Sequence, residues 1–187
     1  DEMYIYNRLI NFNYKKDIYV FYMTSGMNIN LNKTKYNKRD LESISVLKKL
    51  GVSKKNIFFL GRKLSINNNQ LYINLHKAFK ELVINLKNIN GNKIVYTHSL
   101  EGGHEDHDAC NYLIRVANFK YKFFCECYQF PAYNGKNLPF IFFKVSSPIT
   151  ENGKILNKRY KFFDIFKFIY FLFFYKSQLK IWIGLYP

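Results

Sequence analysis

Cysteine, proline, glycine and acidic residues are all scarce in this sequence. The 187 residues include only three cysteines, four prolines and nine glycines. So little proline and glycine excludes collagen-like and low-complexity chains. Three cysteines without a C-x-x-C pair do not build a disulfide framework, so we expect a reducing, cytoplasmic compartment, extending at most to the inner surface of a membrane. The apolar run at 168–175 is much shorter than the roughly 20 residues that span a bilayer, so no transmembrane helix is expected.

The charge of the chain is strongly one-sided. Its 29 lysines and arginines outnumber 13 aspartates and glutamates, which gives a formal net charge of +16. A nucleic-acid surface concentrates its basic residues, whereas here they form separate pairs such as Lys48-Lys49 and Lys158-Arg159, so we expect no specific nucleic-acid partner. A drift of the coding sequence toward A and T would also explain the charge. Attraction to an anionic membrane or a phosphate-bearing substrate stays open.

Strand patterns and helix patterns alternate along the chain, which has enough hydrophobic residues (48%) for a core. Strands are predicted at 17–24, 56–60, 92–97, 125–130 and 140–145, a loop at 27–35, and helices at 39–50, 71–86, 106–118 and 157–180. This alternation predicts a Rossmann-like α/β fold, with a mostly parallel sheet and helices on both faces in three layers. Ligands of such sheets bind where strands end and helices begin, so chemistry is expected after Thr24, Leu60 and Thr97.

The richest of these strand ends is the segment 97–108, which contains three of the four histidines. A Gly-Gly pair is followed by His104, Asp106 and His107 at the start of a predicted helix, so the two histidines can reach one pocket. Imidazole and carboxylate are the ligands that zinc and related divalent metals prefer. The alternative is a solvated polar helix N-terminus. A third histidine, His98, is expected to be a hydrogen-bonded loop residue rather than a ligand.

The same residues resemble a known family. The string E-G-G-H-E-D-H at 101–107 is similar to the G-H-P-D-H signature of the LmbE-like, or PIG-L, zinc-dependent N-acetylglucosamine deacetylases. Further similarities follow in the family's order. T-S-G at 24–26 is similar to T-D-G, and Arg39-x-x-Glu42 followed by Leu50-Gly51 is similar to R-x-x-E…L-G. F-L-G at 59–61 is similar to the end of the family's next strand, and Y-K-S-Q at 175–178 is similar to Y-x-S-Q. The resemblance is clearest over 1–118.

The resemblance also implies roles for individual residues. Asp1-Glu2 resemble the last two residues of the family's P-H-P-D-D-E motif, which would make Asp1 and His107 metal ligands. His104 would stabilise or protonate the tetrahedral intermediate, and Asp106 would orient the imidazole of His104. Arg39 would bind substrate. The third ligand, a histidine, and the general-base aspartate would precede Asp1. We therefore expect the first strand of the fold to be missing from this chain, and the chain by itself to be inactive.

The resemblance implies a single deacetylase domain over 1–187, with C-terminal strands and a helix in 119–187. The expected activity is hydrolysis of the N-acetyl group of an N-acetylglucosamine-type sugar in a glycan, glycolipid or small glycoside. The expected cofactor is Zn²⁺ or another divalent metal. The alternative is a non-catalytic relative that binds glycan, lipid or a partner through a basic, aromatic surface. The aromatic residues at 162–174 are expected to cover the sheet in part and to leave a remainder for peripheral contact with a membrane. Oligomeric state stays open.

Overall fold

The computed structural model describes Ile5, Leu9 and residues 17–26, 33–139, 142–157 and 161–179. In chain order the strands and α-helices are β1 (Val20–Tyr22), α1 (Lys33–Lys49), β2 (Ile57–Phe59), α2 (Leu60–Lys63), α3 (Leu75–Lys87), β3 (Lys93–His98), α4 (Glu105–Tyr121), β4 (Phe124–Phe130), β5 (Tyr133–Asn134), β6 (Lys144–Val145) and α5 (Phe162–Leu172). Single 3₁₀ turns lie at Lys54–Asn56, Tyr72–Asn74, Thr150–Asn152 and Lys176–Gln178. None of the described helices is long and apolar enough to cross a membrane.

The strands pair mostly in parallel. β1 pairs with β2, with Val20 opposite Ile57, and β3 pairs with β4, with a register irregularity after Lys93. Among the strands of the described residues, β5 and β6, with two residues each, run antiparallel. Because parallel strands need crossover helices, this pairing follows from the alternation of strands and helices along the chain. The predicted α/β class with a mostly parallel sheet is confirmed.

Helices cover both faces of the strands. Val20 and Tyr22 of β1 pack against a buried cluster that joins α1 to α5 and includes Val46, Leu47, Phe171 and Tyr175. The intervening Phe21 and the following Met23 belong to the opposite cluster, which joins α3 to α4 and includes Leu82, Leu86 and Leu113. Successive side chains of a strand point to opposite faces, so β1 is apolar on both sides and lies between two helical layers. This is the three-layer arrangement that the sequence predicts.

A cleft of about 590 Å³ separates β1 from β3. Every residue from 17 to 24 and from 92 to 98 lines it, so the strand edges themselves face the cleft. Side chains from both helical layers, including Leu47 of α1 and Leu82 of α3, line it as well. The cleft therefore passes through the sheet layer at the place where one further strand would join β1 to β3.

Several predicted boundaries need correction. The helix predicted at 157–180 is wrong, since α5 covers Phe162–Leu172 and a 3₁₀ turn follows at Lys176–Gln178. α1 begins at Lys33, inside the segment 27–35 that was predicted to be a loop; residues 27–32 lie outside the described residues. Of the strand predicted at 140–145, the pair Lys144–Val145 forms β6, and residues 140 and 141 lie outside the described residues. Leu60–Lys63 forms an unpredicted helical turn.

Candidate active site

The site begins where β3 ends and α4 starts. His104 is the N-cap of α4: its Nδ1 accepts a hydrogen bond from the backbone N–H of Asp106, with an N···N distance of 3.1 Å. A side-chain acceptor at the N-cap satisfies one of the four N–H groups that a helix start leaves without an intrahelical partner. The helix therefore begins at Glu105, and His107 lies in its first turn on the side of His104.

Three imidazole rings stack in this corner. The ring centroids of His104 and His107 are 4.7 Å apart, and those of His107 and His98 are 3.9 Å apart. Tyr133 of β5 presents an edge to both His104 and His107, at 6.4 and 5.6 Å. His98 and His107 also line the cleft between β1 and β3. The predicted approach of His104 to His107 is confirmed. His98, which was expected to be a hydrogen-bonded residue rather than a ligand, stacks on His107 and belongs to the same cluster.

Burial keeps these imidazoles neutral. It lowers the pKa of His107 from 6.5 to about 4, and it lowers the pKa of His98 well below the usual value. Burial, and then the neighbouring His107, lowers the pKa of His104 too. Desolvation disfavours the charged form of any group, and three adjacent cations would repel each other. Neutral imidazole is the form that binds metals.

The hydrogen bond at Nδ1 also fixes the tautomer of His104. An Nδ1 that accepts a bond from a backbone N–H carries no proton, so the single proton of the neutral ring lies on Nε2. His104 therefore presents Nε2–H as a donor. A second proton on Nδ1 would break the bond to Asp106, so this geometry suits stabilisation of an oxyanion better than delivery of a proton.

The carboxylate of Asp106 has a different role from the one that the family resemblance implies. Its Oδ2 accepts a hydrogen bond from the backbone N–H of Asn69 at 2.7 Å, and its Oδ1 accepts one from Leu71 at 3.0 Å. Asp106 is only 4% exposed. The carboxylate thus anchors the loop after α2 to the start of α4, while the backbone N–H of the same residue orients His104.

Polar side chains hold the loop between β3 and α4. Asp108 accepts hydrogen bonds from the backbone N–H groups of Glu101 and Gly102, at 2.9 and 3.0 Å. The Glu101 carboxylate in turn accepts one from the backbone N–H of Ala132 at 2.6 Å. Gly103 lies so close to the next segment that a Cβ there would be 1.8 Å from the carbonyl oxygen of Tyr133. The second glycine of the Gly-Gly pair is therefore required by packing.

Arg39 bonds to the loop that follows β1. Its guanidinium donates a hydrogen bond to the carbonyl oxygen of Gly26, two residues beyond Thr24, which lines the cleft. The loops after β1 and β2 are joined here, because Ser25 N–H donates to the Ile66 carbonyl at 2.8 Å. A Cβ at Gly61 would lie 2.3 Å from the backbone of Thr24, so only glycine fits between them.

Two of the motifs that carry the resemblance meet in space. Glu42 of R-x-x-E accepts hydrogen bonds from the hydroxyl and the backbone N–H of Ser177 in Y-K-S-Q, at 2.5 and 3.1 Å. Tyr175 of the same motif is buried against α1. Because Glu42 is three residues from Arg39, one helical turn connects this contact with the arginine that bonds to Gly26. The sequence placed both motifs in the family pattern but carried no sign that they touch.

The residues present fit a metal site in donor chemistry but do not complete one. Asp1, the other ligand that the resemblance implies, lies outside the described residues. In the described part of the chain, no group of three His, Cys, Asp or Glu side chains converges on one point. Cys110 is not a ligand of this kind, since burial raises the pKa of its thiol to about 12 and keeps it protonated. His98 and His107 both combine burial, neutrality and access to the cleft, and the family resemblance implies the ligand role for His107.

Sequence reasoning missed Tyr133 and the carboxylates that hold the loops. It placed His98 at the end of a strand close to the site, but expected a hydrogen-bonded residue there rather than a ligand. Tyr133 carried no sign of its place: it comes to the site from a two-residue strand that pairs with β6.

Parallel strands between two helical layers, with buried neutral imidazoles at their carboxyl edge, define an α/β protein with an active-site architecture. The family model PIG-L, described as GlcNAc-PI de-N-acetylase, matches residues 1–118, and the chain belongs to this family. Its members are in general deacetylases and typically depend on a metal. A search of the curated proteins returns no match, and neither does one of the solved structures.

Proposed function

We propose that this protein is a metal-dependent amide hydrolase that removes the N-acetyl group from an N-acetylglucosamine-type sugar. The family supports the reaction class. The observation that carries the proposal is the stacked pair of half-buried His104 and buried His107, both with a lowered pKa, at the start of a helix beside a cleft that His107 lines. The two rings take different parts, because the N-cap bond commits Nδ1 of His104 and leaves its Nε2–H as a donor.

His107 is the proposed metal ligand within the described residues. Asp1, together with a histidine from a strand that fills the cleft, would complete a site with three protein ligands and an open position. The same strand would bring the general-base aspartate of the family motif. Zn²⁺, or another divalent metal, supplies a Lewis acid that lowers the pKa of a bound water. Because His98 and His107 line the cleft, a strand there would end beside both imidazoles.

His104 is the proposed donor to the oxyanion that forms when water attacks the acetamide carbonyl. One such donor is worth about 2.7–4 kcal/mol of transition-state stabilisation in comparable sites. The backbone N–H of Asp106 holds the ring in the donating tautomer, and Tyr133 packs edge-on against it. Arg39, bonded to the loop after β1, is the proposed contact for the substrate. The basic surface favours an anionic substrate, such as a sugar carried on a phosphate-bearing lipid.

Residues 1–187 are proposed to form one domain in the cytoplasm. The bonds between Ser177 and Glu42, and the burial of Tyr175 against α1, support one domain because they tie the C-terminal end to the matched region. All three cysteines lie in the described residues and none forms a disulfide, in keeping with a reducing compartment.

Single substitutions of three histidines test the proposal, in protein expressed from the complete coding sequence. His104→Ala should remove release of acetate from an N-acetylglucosaminyl lipid while bound zinc, measured by mass spectrometry, stays near one per chain. His107→Ala should lose the zinc as well. His76→Ala is the matched control, because His76 is exposed on α3, and it should change neither quantity. Zinc retained in His107→Ala would refute the ligand assignment, and zinc without acetate release in the wild type would favour the non-catalytic relative.

A further inference from the structure

Helix α5 exposes a continuous apolar surface. Seven large side chains of α5 and the residue after it, which we call the aromatic face, are exposed: Phe162, Phe163, Ile165, Phe166, Ile169, Tyr170 and Phe173. Their spacing of three and four residues places them on one side of the helix. Phe163 is 75% exposed and Phe162 is 69% exposed, so these are whole rings in solvent rather than edges of a core.

The opposite side of α5 is already engaged by the protein. Phe171 is buried in the cluster with α1, and Phe168 and Leu172 pack against that cluster. The one acidic residue of the helix, Asp164, is on the buried side and only 6% exposed. α5 is therefore apolar on both sides, and the aromatic face is the side that the described part of the protein leaves uncovered. A helix that is apolar all round is ordinarily buried on all sides.

Charge around the aromatic face is of one sign. Lys161 lies at its beginning, Lys167 at its border and Lys176 beyond its end, and all three are exposed. With Asp164 turned inward, the face carries no exposed carboxylate. Aromatic rings bordered by lysines match the boundary of an anionic bilayer, where rings lie at headgroup depth and ammonium groups meet phosphates. The 11 residues of α5 are too few to span a bilayer, so the helix would lie in the plane of the membrane.

We propose that the aromatic face of α5 is a docking surface for an anionic lipid bilayer. The proposal concerns this surface and does not depend on the deacetylase reaction. Docking would hold the cleft near the membrane, because Phe171 of α5 is buried in the cluster against which Val20 and Tyr22 of β1 pack, and both of these β1 residues line the cleft. The net charge of +16 would add long-range attraction to the same surface.

Sedimentation with vesicles tests the proposal. Protein from the complete coding sequence is mixed with phosphatidylserine–phosphatidylcholine vesicles and with phosphatidylcholine vesicles, and the partition coefficients are compared. The double substitution Phe163→Ser and Phe166→Ser should lower partitioning to the anionic vesicles by about 100-fold, because each buried ring contributes about tenfold. Phe119→Ser removes a ring that is 82% exposed on α4, and it should leave partitioning within about twofold.

Other occupants of the face give different results. Unchanged vesicle binding in the double variant would overturn the proposal, because binding would then come from the basic surface alone. If the wild type is a dimer that the double substitution converts to a monomer, and vesicle binding is unchanged or absent in both proteins, a second copy of the chain covers the face. Circular dichroism of both variants confirms that they fold. A loss of binding in the double variant that Phe119→Ser does not share supports the lipid surface.

Discussion

Asp106→Asn separates the two ways in which Asp106 can act on the site. If the carboxylate orients His104, as the family resemblance implies, the substitution changes the imidazole. The structure instead assigns the carboxylate to the loop at Asn69 and Leu71, and assigns His104 to the backbone N–H of residue 106, which asparagine keeps. We therefore expect a loss of stability with no change of the His104 tautomer.

The magnitude follows from the two hydrogen bonds of the carboxylate. Asparagine retains one oxygen and turns its NH₂ group toward the second backbone N–H, so one charge-assisted bond is lost and a buried N–H faces another donor. A hydrogen bond to a charged group contributes about 1.5–3 kcal/mol. Leu71 is fully buried, so the loop cannot move away without exposing it. We expect the free energy of unfolding to fall by about 2–3 kcal/mol.

Urea unfolding measures the loss, and ¹⁵N chemical shifts of the imidazole nitrogens report the tautomer. Glu105→Gln is the matched control: it removes the same charge from the same helix turn, but Glu105 is exposed, and we expect a change of about 0.5 kcal/mol. An Nδ1–H tautomer of His104 in the wild type that Asp106→Asn converts to Nε2–H, with stability within about 0.5 kcal/mol of the control, would refute the assignment and restore the carboxylate as the orienting group.

Three further predictions follow from contacts and burial. Gly103→Ala should lower the free energy of unfolding by at least about 2 kcal/mol, because its Cβ would overlap the carbonyl oxygen of Tyr133. Gly135→Ala is the control: its Cβ would lie 3.7 Å from the carbonyl oxygen of Phe142, an ordinary contact, so the substitution should cost less than about 1 kcal/mol. In EDTA-treated protein, the free energy of unfolding should have its full value above pH 6.5 and fall by about 3 kcal/mol toward pH 4. His107 has a pKa of about 4 in the folded protein and about 6.5 in the unfolded chain, so the unfolded chain takes up the proton at higher pH. A double-mutant cycle of Glu42→Gln and Ser177→Ala should give a coupling energy of about 1–2 kcal/mol.

Each of these has an outcome that contradicts it. Equal unfolding free energies for Gly103→Ala and Gly135→Ala would show that the segment at β5 moves freely. A pH profile that His107→Gln leaves unchanged would assign the acid sensitivity to other groups. Additive effects in the double-mutant cycle would mean that Glu42 and Ser177 do not interact in solution.

The sequence by itself was enough for the fold class and for one corner of the site. Runs of β-branched and aromatic residues and helical spacing are local properties, so strands at Val20–Tyr22, Ile57–Phe59 and Lys93–His98 were recognisable. The H-x-x-H pair after Gly-Gly was recognisable too, because helix geometry alone brings residues three apart together. The terminal helix was overextended, since its aromatic run continues through Tyr175 although the chain turns after Leu172.

Tertiary structure decided what the polar residues contact. The carboxylate of Asp106 meets the backbone of a loop some 35 residues away, and Glu42 meets Ser177 across 135 residues. No local pattern encodes such pairs, because a carboxylate binds any N–H or O–H donor that packing brings to it. The same holds for Tyr133 at the histidines and for the exposed side of α5. The sequence thus determined which groups are available for chemistry, and packing determined which of them meet.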